Sequence, residues 1–198
     1  MRIGIFGGTF NPPHIGHMLL AEAAYEELEL DKVLFIPCGN PPHKTNVGLA
    51  SARHRYNMVK LSIENTDFFD VSDIEIKSRE KSYTANTLKK LSRNYAKSEM
   101  FLIVGADSLC EMESWHCPEK IFSEATVAAA YRAGSEYSQP KLFADKFKEK
   151  YGADIVFFKM PQMEISSSQI RSRINSGKSV RYMLCGGVLD YIRKNGVY

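Results

Sequence analysis

The sequence has few of the features that mark a specialised class of protein. Its 198 residues contain only four cysteines, with no CxxC pair, and a net charge of +3 from 26 basic and 23 acidic side chains. Scattered cysteines in a chain of this size predict reduced thiols in a cytosol and not a disulfide framework. The mild charge gives no reason to expect a nucleic-acid partner, although it suits a small anion held in a local positive pocket.

Long apolar runs and low-complexity segments are also missing. No stretch approaches the roughly 20 apolar residues that a membrane span needs, so no membrane partner is expected. The first predicted strand and its motif begin at Arg2, and we therefore expect no signal peptide and a cytoplasmic protein. With 44% apolar and 25% charged residues, the chain can bury the core of an ordinary globular protein.

Short apolar runs alternate with longer amphipathic ones along the whole chain. The strands predicted from this pattern are 2–6, 33–37, 69–76, 100–105, 126–131 and 154–160. The predicted helices are 16–29, 52–65, 84–96, 118–124, 141–150, 167–176 and 187–195. This alternation predicts an α/β fold with a doubly wound, mostly parallel sheet and helices on both faces. We expect a single domain over residues 1–198, with a helical C-terminal portion from about residue 165.

The segment GGTFNPPHIGH at residues 7–17 is the most unusual local feature. Gly7 and Gly8 follow a predicted strand, where the absence of a Cβ lets a ligand approach main-chain N–H groups. His14 and His17 lie one turn apart at the start of a predicted helix, whose unpaired N–H groups favour phosphate. Imidazoles there can donate hydrogen bonds to phosphoryl oxygens and, if protonated, add charge. Gly16 between them would let a base or phosphate pass close.

Other interpretations of this segment stay open. A His pair can bind zinc, although zinc-binding helices prefer an i, i+4 spacing with a third ligand, and we assign no metal ligand. One of the two histidines can also be packed as a structural residue. The tetrapeptide NPPH recurs at residues 40–43, followed by Lys44, after another predicted strand. Loops at the carboxyl ends of parallel strands converge on one crevice, so the two copies either meet over a single site or are only two similar Pro-rich turns.

The motif GGTFNPPHIGH resembles the signature of the HIGH-type nucleotidyltransferase superfamily. This resemblance implies a Rossmann-like sheet and transfer of a nucleotidyl group from a nucleoside triphosphate, with release of pyrophosphate. Similarity to the bacterial nicotinate-nucleotide adenylyltransferases is carried by NPPHK at 40–44, SYTANTL at 82–88, VGADSLCEMESWH at 104–116 and ISSSQIR at 165–171. The motifs extend from Gly7 to Tyr198. The chain departs from the family at Asn11, where Asp is usual, and this leaves the conformation of the local turn undecided.

The resemblance implies adenylyl transfer from ATP to nicotinate mononucleotide, giving deamido-NAD and pyrophosphate, in NAD biosynthesis. Mg²⁺ is expected to be bound through the ATP phosphates. The residues assigned to catalysis are His14, His17, Lys44 and Arg171. The residues assigned to ATP binding are Gly7, Gly8, Thr9, Phe10, Gly16, Gly105, Asp107, Arg132, Ser166 and Ser167. Those assigned to the nicotinate nucleotide are Lys44, Tyr83, Thr84, Trp115 and His116.

Some of these residues also have a simpler structural interpretation. The serines at 166–168 predict an N-cap, which forms either a second anion site with Arg171 or only a capped surface helix. Asp107 would accept hydrogen bonds from both ribose hydroxyls or cap a helix. Trp115 would stack on the pyridine ring or lie in the core, as most tryptophans do. Tyr83 could contribute packing alone.

Two other functions stay open on the sequence. Another transferase of the superfamily, such as one acting on phosphopantetheine, would keep the HIGH motif and Arg171 but has no reason for SYT and the Trp115 block. A non-catalytic nucleotide sensor would bind ATP without turnover, yet a sensor has no use for groups that neutralise a leaving group. The oligomeric state stays open as well, a homo-oligomer included.

Overall fold

The computed structural model describes residues 1–41, 48–132 and 138–198, and for Arg132 the backbone alone. Along these residues the strands are β1 (Arg2–Gly8), β2 (Lys32–Pro37), β3 (Phe69–Val71), β4 (Glu99–Gly105), β5 (Thr126–Arg132) and β6 (Ile155–Met160). The helices are α1 (Ile15–Glu27), α2 (Ala52–Ile63), α3 (Thr84–Asn94), α4 (Ala106–Glu111), α5 (Pro118–Glu124), α6 (Ser138–Tyr151), α7 (Ser167–Asn175) and α8 (Val188–Asn195). A short 3-10 helix covers Met112–Ser114. None of these helices is long and apolar enough to cross a membrane.

The strands form a six-stranded sheet in the order β3-β2-β1-β4-β5-β6. β1 pairs with β4, β4 with β5 and β5 with β6, and all three pairs are parallel. Five successive residues of β4, from Met100 to Val104, are buried, as in a strand whose sheet is covered on both faces. The prediction of an α/β, Rossmann-like fold with a parallel sheet flanked by helices is confirmed.

Two parts of the predicted pattern were wrong. The strand expected over 69–76 ends at Val71, because the segment that follows coils locally. There the Lys77 N–H donates to the Asp73 carbonyl at 2.9 Å and the Ser78 N–H to the Glu75 carbonyl at 3.2 Å. Helix α4 and the 3-10 helix after it were not predicted, because so few residues cannot display the apolar period of a helix.

Contacts divide the chain into two compact units. The first comprises Met1–Phe6, Leu20–Val33 and Tyr83–Gln162. Within it α3 packs against α5 and α4 against α6. The rings of Phe122 and Phe147 pack with centroids 5.2 Å apart in its core. β4 ends at Gly105 in this unit, at the strand terminus where ligands bind in open α/β sheets.

The second unit comprises Gly7–Leu19, Leu34–Ser82 and Met163–Tyr198. Its apolar cluster joins helices α2, α7 and α8 through Met58, Ile170, Val188 and Ile192. Gly186 has a φ of 54° and lies against the Leu61 carbonyl, so no side chain fits at that position. Helices α7 and α8 occupy the portion expected to be helical, and the single domain over 1–198 stays a prediction.

Candidate functional site

His14 and His17 are stacked on each other at the start of α1. Their ring centroids are 3.7 Å apart, with 33° between the ring planes. His17 is the third residue of the helix, and its Nδ1 accepts a hydrogen bond from the His14 backbone N–H at 3.1 Å. This is the position from which Glu or Gln closes a capping box. Because Nδ1 accepts, the neutral ring of His17 carries its proton on Nε2 and can donate from that atom.

The imidazole of His14 is buried and neutral. Its side chain is 7% exposed, and its Nδ1 has no hydrogen-bond partner within the described ranges. Burial lowers the pKa of His14 to about 4, because a charged ring would lose its hydration. At pH 7 the ring can therefore donate one N–H to a ligand, and the charge that a protonated ring would add is absent.

The glycines of the motif have two different roles. A Cβ on Gly16 would lie 3.1 Å from Nδ1 of His14, so the space that we expected a base or phosphate to use holds this ring. A Cβ on Gly8 would lie 2.8 Å from the ring of Phe10, which is 2% exposed and packs edge-on to His17. The Phe10 side chain is thus a support beneath the motif. At Gly7 a Cβ would meet nothing within 4 Å, which suits close approach by a ligand.

The start of α1 is less open than predicted. The Ile15 N–H, the first of the helix, donates to the Met183 carbonyl at 3.1 Å. The expectation of unpaired N–H groups at this terminus is therefore wrong for the first amide, which already has a protein acceptor. The N–H groups of His17 and Met18 also have an acceptor, the His14 carbonyl, at 2.9 and 3.4 Å. Donation to a phosphate at this end of the helix therefore falls mainly to the imidazoles.

Helix α7 begins as predicted, with a serine at the N-cap. The Ser166 side chain accepts a hydrogen bond from the Gln169 N–H at 3.2 Å. This serine-capped helix carries two residues assigned to the site, Ser167 and Arg171.

Both of these side chains are bonded to the turn that precedes His14. Ser167 Oγ donates to the Pro12 carbonyl at 2.9 Å, and Arg171 Nη1 donates to the Asn11 carbonyl at 2.8 Å. Residues that lie more than 150 positions apart in the sequence are thereby brought to one turn. Helix α7 is therefore more than a capped surface helix, because two of its side chains hold this turn, and its role as an anion site stays a prediction.

Arg55 is a buried residue that sequence analysis missed. Its side chain is 1% exposed, and its guanidinium donates to the carbonyls of Ala50, Thr9 and Gly39 at 3.0, 2.8 and 3.4 Å. It thereby joins the turn after β1, the loop after β2 and the residues before α2. Burial lowers the pKa of Arg55, although an arginine remains charged. No local signal marks this residue, because arginines on helices are mostly exposed.

Part of the predicted convergence lies outside the described residues. The structure does not describe residues 42–47, which include His43 and Lys44, or the side chain of Arg132. The meeting of the two NPPH copies stays a prediction. The loop after β2 is described up to residue 41, and there Ser82 Oγ accepts hydrogen bonds from the N–H groups of Gly39 and Asn40, both at 3.1 Å.

Apart from Lys44, which lies outside the described residues, the residues assigned to the nicotinate nucleotide lie near the start of α3 and after the 3-10 helix. The Tyr83 ring stacks on His116 with centroids 4.2 Å apart and 28° between the planes, so its partner is another assigned residue. Thr84 is the first residue of α3, where N–H groups have no acceptor within the helix. Trp115 is partly exposed, so its interpretation as a core residue is wrong.

Ion pairs fix the 3-10 helix that precedes Trp115. Glu113 accepts from Lys146 Nζ at 2.6 Å and from Lys150 Nζ at 2.8 Å, both on α6. Hydrogen bonds from these two ammonium groups lower the pKa of Glu113 to about 2. Asp107 lies exposed in the first turn of α4, whose N-cap at Gly105 has no side-chain hydrogen bond, so Asp107 is not the cap of this helix.

The described side chains around the motif can be compared with the ligand set of a metal site. Within the described ranges, no three His, Cys, Asp or Glu side chains are placed to hold an ion together. The zinc hypothesis for His14 and His17 therefore has no third ligand in this part of the chain. Imidazole, hydroxyl and guanidinium donors match the oxygens of a phosphate.

Comparison with known proteins agrees with this chemistry. The model of the cytidylyltransferase-like family matches residues 5–173, so the chain belongs to this family. A relative from Lachnoclostridium phytofermentans, named "Probable nicotinate-nucleotide adenylyltransferase", is 40% identical over 197 residues, which cover 100% of this chain and 98% of the relative. A relative of the same name from Exiguobacterium sibiricum is 40% identical over 198 residues, with 100% and 99% covered. The predicted resemblance to this group of bacterial transferases is confirmed.

A solved structure shows the same fold. The nicotinic acid mononucleotide adenylyltransferase of Plasmodium falciparum, complexed with NaAD, superposes with a TM-score of 0.82 over 100% of this chain and 97% of that one. The two sequences are 21% identical, so this likeness supports the architecture alone.

Proposed function

We propose that this protein transfers the adenylyl group of ATP to nicotinate mononucleotide, giving deamido-NAD and pyrophosphate in NAD biosynthesis. The observation that carries the proposal is the stacked His14–His17 pair, with Ser167 and Arg171 bonded to the turn before it. Neutral imidazole donors and a guanidinium suit the oxygens of a triphosphate. The names of the full-length relatives support the choice of acceptor.

The reaction needs alignment more than it needs a base. The attacking phosphate of the mononucleotide is already an anion, so no proton is removed from it. Its oxygen forms a bond to the α-phosphorus of ATP while the bond from that phosphorus to the bridging oxygen breaks, and pyrophosphate leaves with the electron pair. Catalysis then consists of in-line positioning and of donors placed where negative charge develops.

Each assigned group has a part in this displacement. His17 donates from Nε2 to the α-phosphate, and its Nδ1 is held by the His14 N–H. His14 donates to the departing pyrophosphate. Arg171 and the serine-capped end of α7 hold the outer phosphates, and Lys44 draws the two anionic substrates together. The remaining ATP contacts are assigned to Gly7, Gly8, Thr9, Gly105, Asp107, Arg132, Ser166 and Ser167, and to Phe10 and Gly16 through their backbones.

The pyridine ring is assigned to the aromatic group of the first unit. Trp115 stacks on the ring, with Tyr83 beside His116, while the backbone N–H groups of Thr84 and His116 donate to the carboxylate. A carboxamide would turn its own N–H toward these donors, which costs on the order of a few kcal/mol. Selectivity for the acid over the amide follows from this arrangement.

A divalent metal takes part in adenylyl transfer from ATP in this group of enzymes. We propose Mg²⁺, which phosphate oxygens of the bound nucleotide would hold and which would supply positive charge for the leaving pyrophosphate. The imidazole, hydroxyl and guanidinium donors around the motif contact the phosphates and not the ion. We assign the reaction to the cytoplasm, in keeping with four cysteines, all in the described residues, that form no disulfide.

Pyrophosphate release with ATP and a panel of acceptors tests the proposal. We expect rapid release with nicotinate mononucleotide and a kcat/KM about 10²-fold lower with nicotinamide mononucleotide. Equal values for the two would contradict the proposed carboxylate contacts. Release with phosphopantetheine alone would indicate another transferase of the superfamily. ATP binding without release for every acceptor would indicate a sensor.

A further inference from the structure

The hydroxyl of Tyr198 reaches a residue of the opening motif 187 positions away. Its Oη donates to Oδ1 of Asn11 at 2.7 Å, and both residues are at least partly buried. Burial raises the pKa of Tyr198, against the opposing effect of the Arg171 and Arg55 charges, so the hydroxyl keeps its proton and remains a donor. Nothing in the local sequence of either residue predicts this contact.

Asn11 is the centre of a small hydrogen-bond network. Its side chain is 6% exposed, and Oδ1 accepts a second hydrogen bond from the Ala50 N–H at 3.0 Å. Its Nδ2 donates to the Gly48 carbonyl at 2.9 Å. Its backbone carbonyl accepts the hydrogen bond from Arg171. A buried amide held on all these sides has one orientation, because two donors meet its oxygen and a carbonyl meets its nitrogen.

The network leads into the catalytic pair. Asn11 lies three residues before His14, and the carbonyl of Pro12 between them is fixed by Ser167. The His14 N–H is in turn bonded to His17. A displacement of the Asn11 side chain is therefore transmitted through this turn to the imidazole of His14.

We propose that Tyr198 and Asn11 are positioning residues for adenylyl transfer: the tyrosine hydroxyl holds Asn11, and Asn11 holds the turn that places His14. Neither residue contacts the reacting atoms. The inference rests on the proposed function, since the property that it controls is the placement of a phosphate donor. It also explains how Asn11 can replace the usual Asp, because either residue presents an oxygen to Tyr198 and Ala50.

Substitutions of Asn11 separate the role of its amide oxygen, which accepts, from the role of its amide nitrogen, which donates. Asn11→Asp keeps an acceptor for Tyr198 and Ala50 but has no donor for the Gly48 carbonyl. Asn11→Ala removes both the acceptor for Tyr198 and Ala50 and the donor for the Gly48 carbonyl. If the oxygen is the positioning atom, Asn11→Asp retains most of the wild-type kcat and Asn11→Ala does not.

Steady-state kinetics of pyrophosphate release, together with Tm, provide the test. We expect Tyr198→Phe to lower kcat up to about tenfold, the scale of one lost hydrogen bond, with little change in KM for ATP. In the Asn11→Ala background, Tyr198→Phe should lower kcat no further, because its acceptor is already gone. Independent, additive losses would overturn the inference, as would an unchanged kcat in Tyr198→Phe.

Tyr191 offers a matched control. Tyr191 is also partly buried, and its hydroxyl is bonded to Nδ1 of His54 and to Nδ2 of Asn57, each at 2.9 Å, neither of which belongs to the motif at 7–17. Tyr191→Phe should lower Tm as Tyr198→Phe does but leave kcat unchanged. Equal losses of kcat in both variants would mean that packing of the C-terminal segment, and not the Asn11 contact, controls the rate.

A spectroscopic measurement keeps the inference testable if turnover fails. The ¹⁵N chemical shifts of the His14 ring should move in Tyr198→Phe and stay in place in Tyr191→Phe. Absence of pyrophosphate release from the wild type would overturn the proposed function, and the ring shifts would still report whether Tyr198 positions His14. Unchanged shifts in Tyr198→Phe would overturn the positioning role. Because Asn11→Ala can fail to fold, Tyr198→Phe and Asn11→Asp carry the result by themselves.

Discussion

The two groups of site residues are held in place by different forces. The turn at residues 7–17 is fixed by hydrogen bonds from distant positions, since Arg55, Arg171 and Tyr198 each donate to it. These donors meet carbonyl and amide oxygens in buried or partly buried surroundings, where an unmade hydrogen bond is costly. The peptide groups of Thr9, Asn11 and Pro12 are thereby held by residues that are distant in the sequence.

The aromatic group of the first unit has a looser construction. Tyr83 and His116 are held by ring stacking, and Trp115 follows a segment fixed by exposed ion pairs of Glu113. Exposed ion pairs are weak and are screened by salt. Under the proposed function, the groups assigned to the phosphates are held rigidly, and the groups assigned to the pyridine ring are held more loosely. Changes in the turn should therefore affect stability and kcat, and changes in the aromatic group should affect KM.

Loss of Arg55 should be the most damaging change to the rigid region. In Arg55→Leu one buried and two partly buried carbonyls lose their donor, and we expect the unfolding free energy to fall by about 4 kcal/mol. Urea denaturation measures this, with exposed Arg53 on the same helix as the control: Arg53→Leu should cost little. Similar losses in both variants would mean that Arg55 is not the link between the three loops.

Burial of His14 should make stability depend on pH. Its pKa is about 4 in the folded protein and 6.5 in the unfolded chain, so the unfolded state binds more protons between these values. Its contribution is present above pH 6.5 and is lost as the pH falls toward 4, by about 3 kcal/mol in total.

Denaturation of wild type and His14→Gln over this range gives the difference due to His14. Other groups titrate in both proteins and cancel in the comparison. If the unfolding free energy of the wild type changed with pH in the same way as that of His14→Gln, the ring of His14 would not be buried as a neutral base.

Substitution of His17 should separate catalysis from helix capping. We expect His17→Ala to lower kcat at least about 10²-fold, the scale of one lost donor to the transition state. His17→Gln should restore the cap, because glutamine at this position can accept from the His14 N–H, yet leave kcat low. A variant with normal kcat and a raised KM would assign His17 to ground-state binding instead.

Substitution of Trp115 should give the smallest effect and a different kinetic pattern. Trp115→Ala removes the proposed stacking partner of the pyridine ring, so KM for nicotinate mononucleotide should rise about tenfold while KM for ATP stays unchanged. Trp115→Phe retains an aromatic face and should lie close to the wild type. A loss confined to kcat would contradict the division between a rigid and an adjustable region.

Local patterns predicted the parts of the molecule that are built locally. The strand from Arg2, the juxtaposition of His14 and His17 and the Ser166 cap each depend on neighbours in the sequence, and each was found. The expected end of the strand at residue 6 was wrong, because β1 continues through Gly7 and Gly8. Arg55 and Tyr198 escaped prediction, because their roles depend on partners that only the folded chain brings together. The space beside the Gly16 Cα was assigned to a ligand for the same reason, because the His14 ring that fills this space is positioned only in the folded turn.

The central claim is that His14 and His17 align the phosphates without forming a bond to them. The stereochemistry at the α-phosphorus tests it directly, with an ATP analogue in which sulfur replaces one α-oxygen and a single diastereomer is supplied. One in-line displacement by nicotinate mononucleotide predicts inversion of configuration in the dinucleotide product. Retention would require two displacements through an adenylylated side chain, and it would contradict the account.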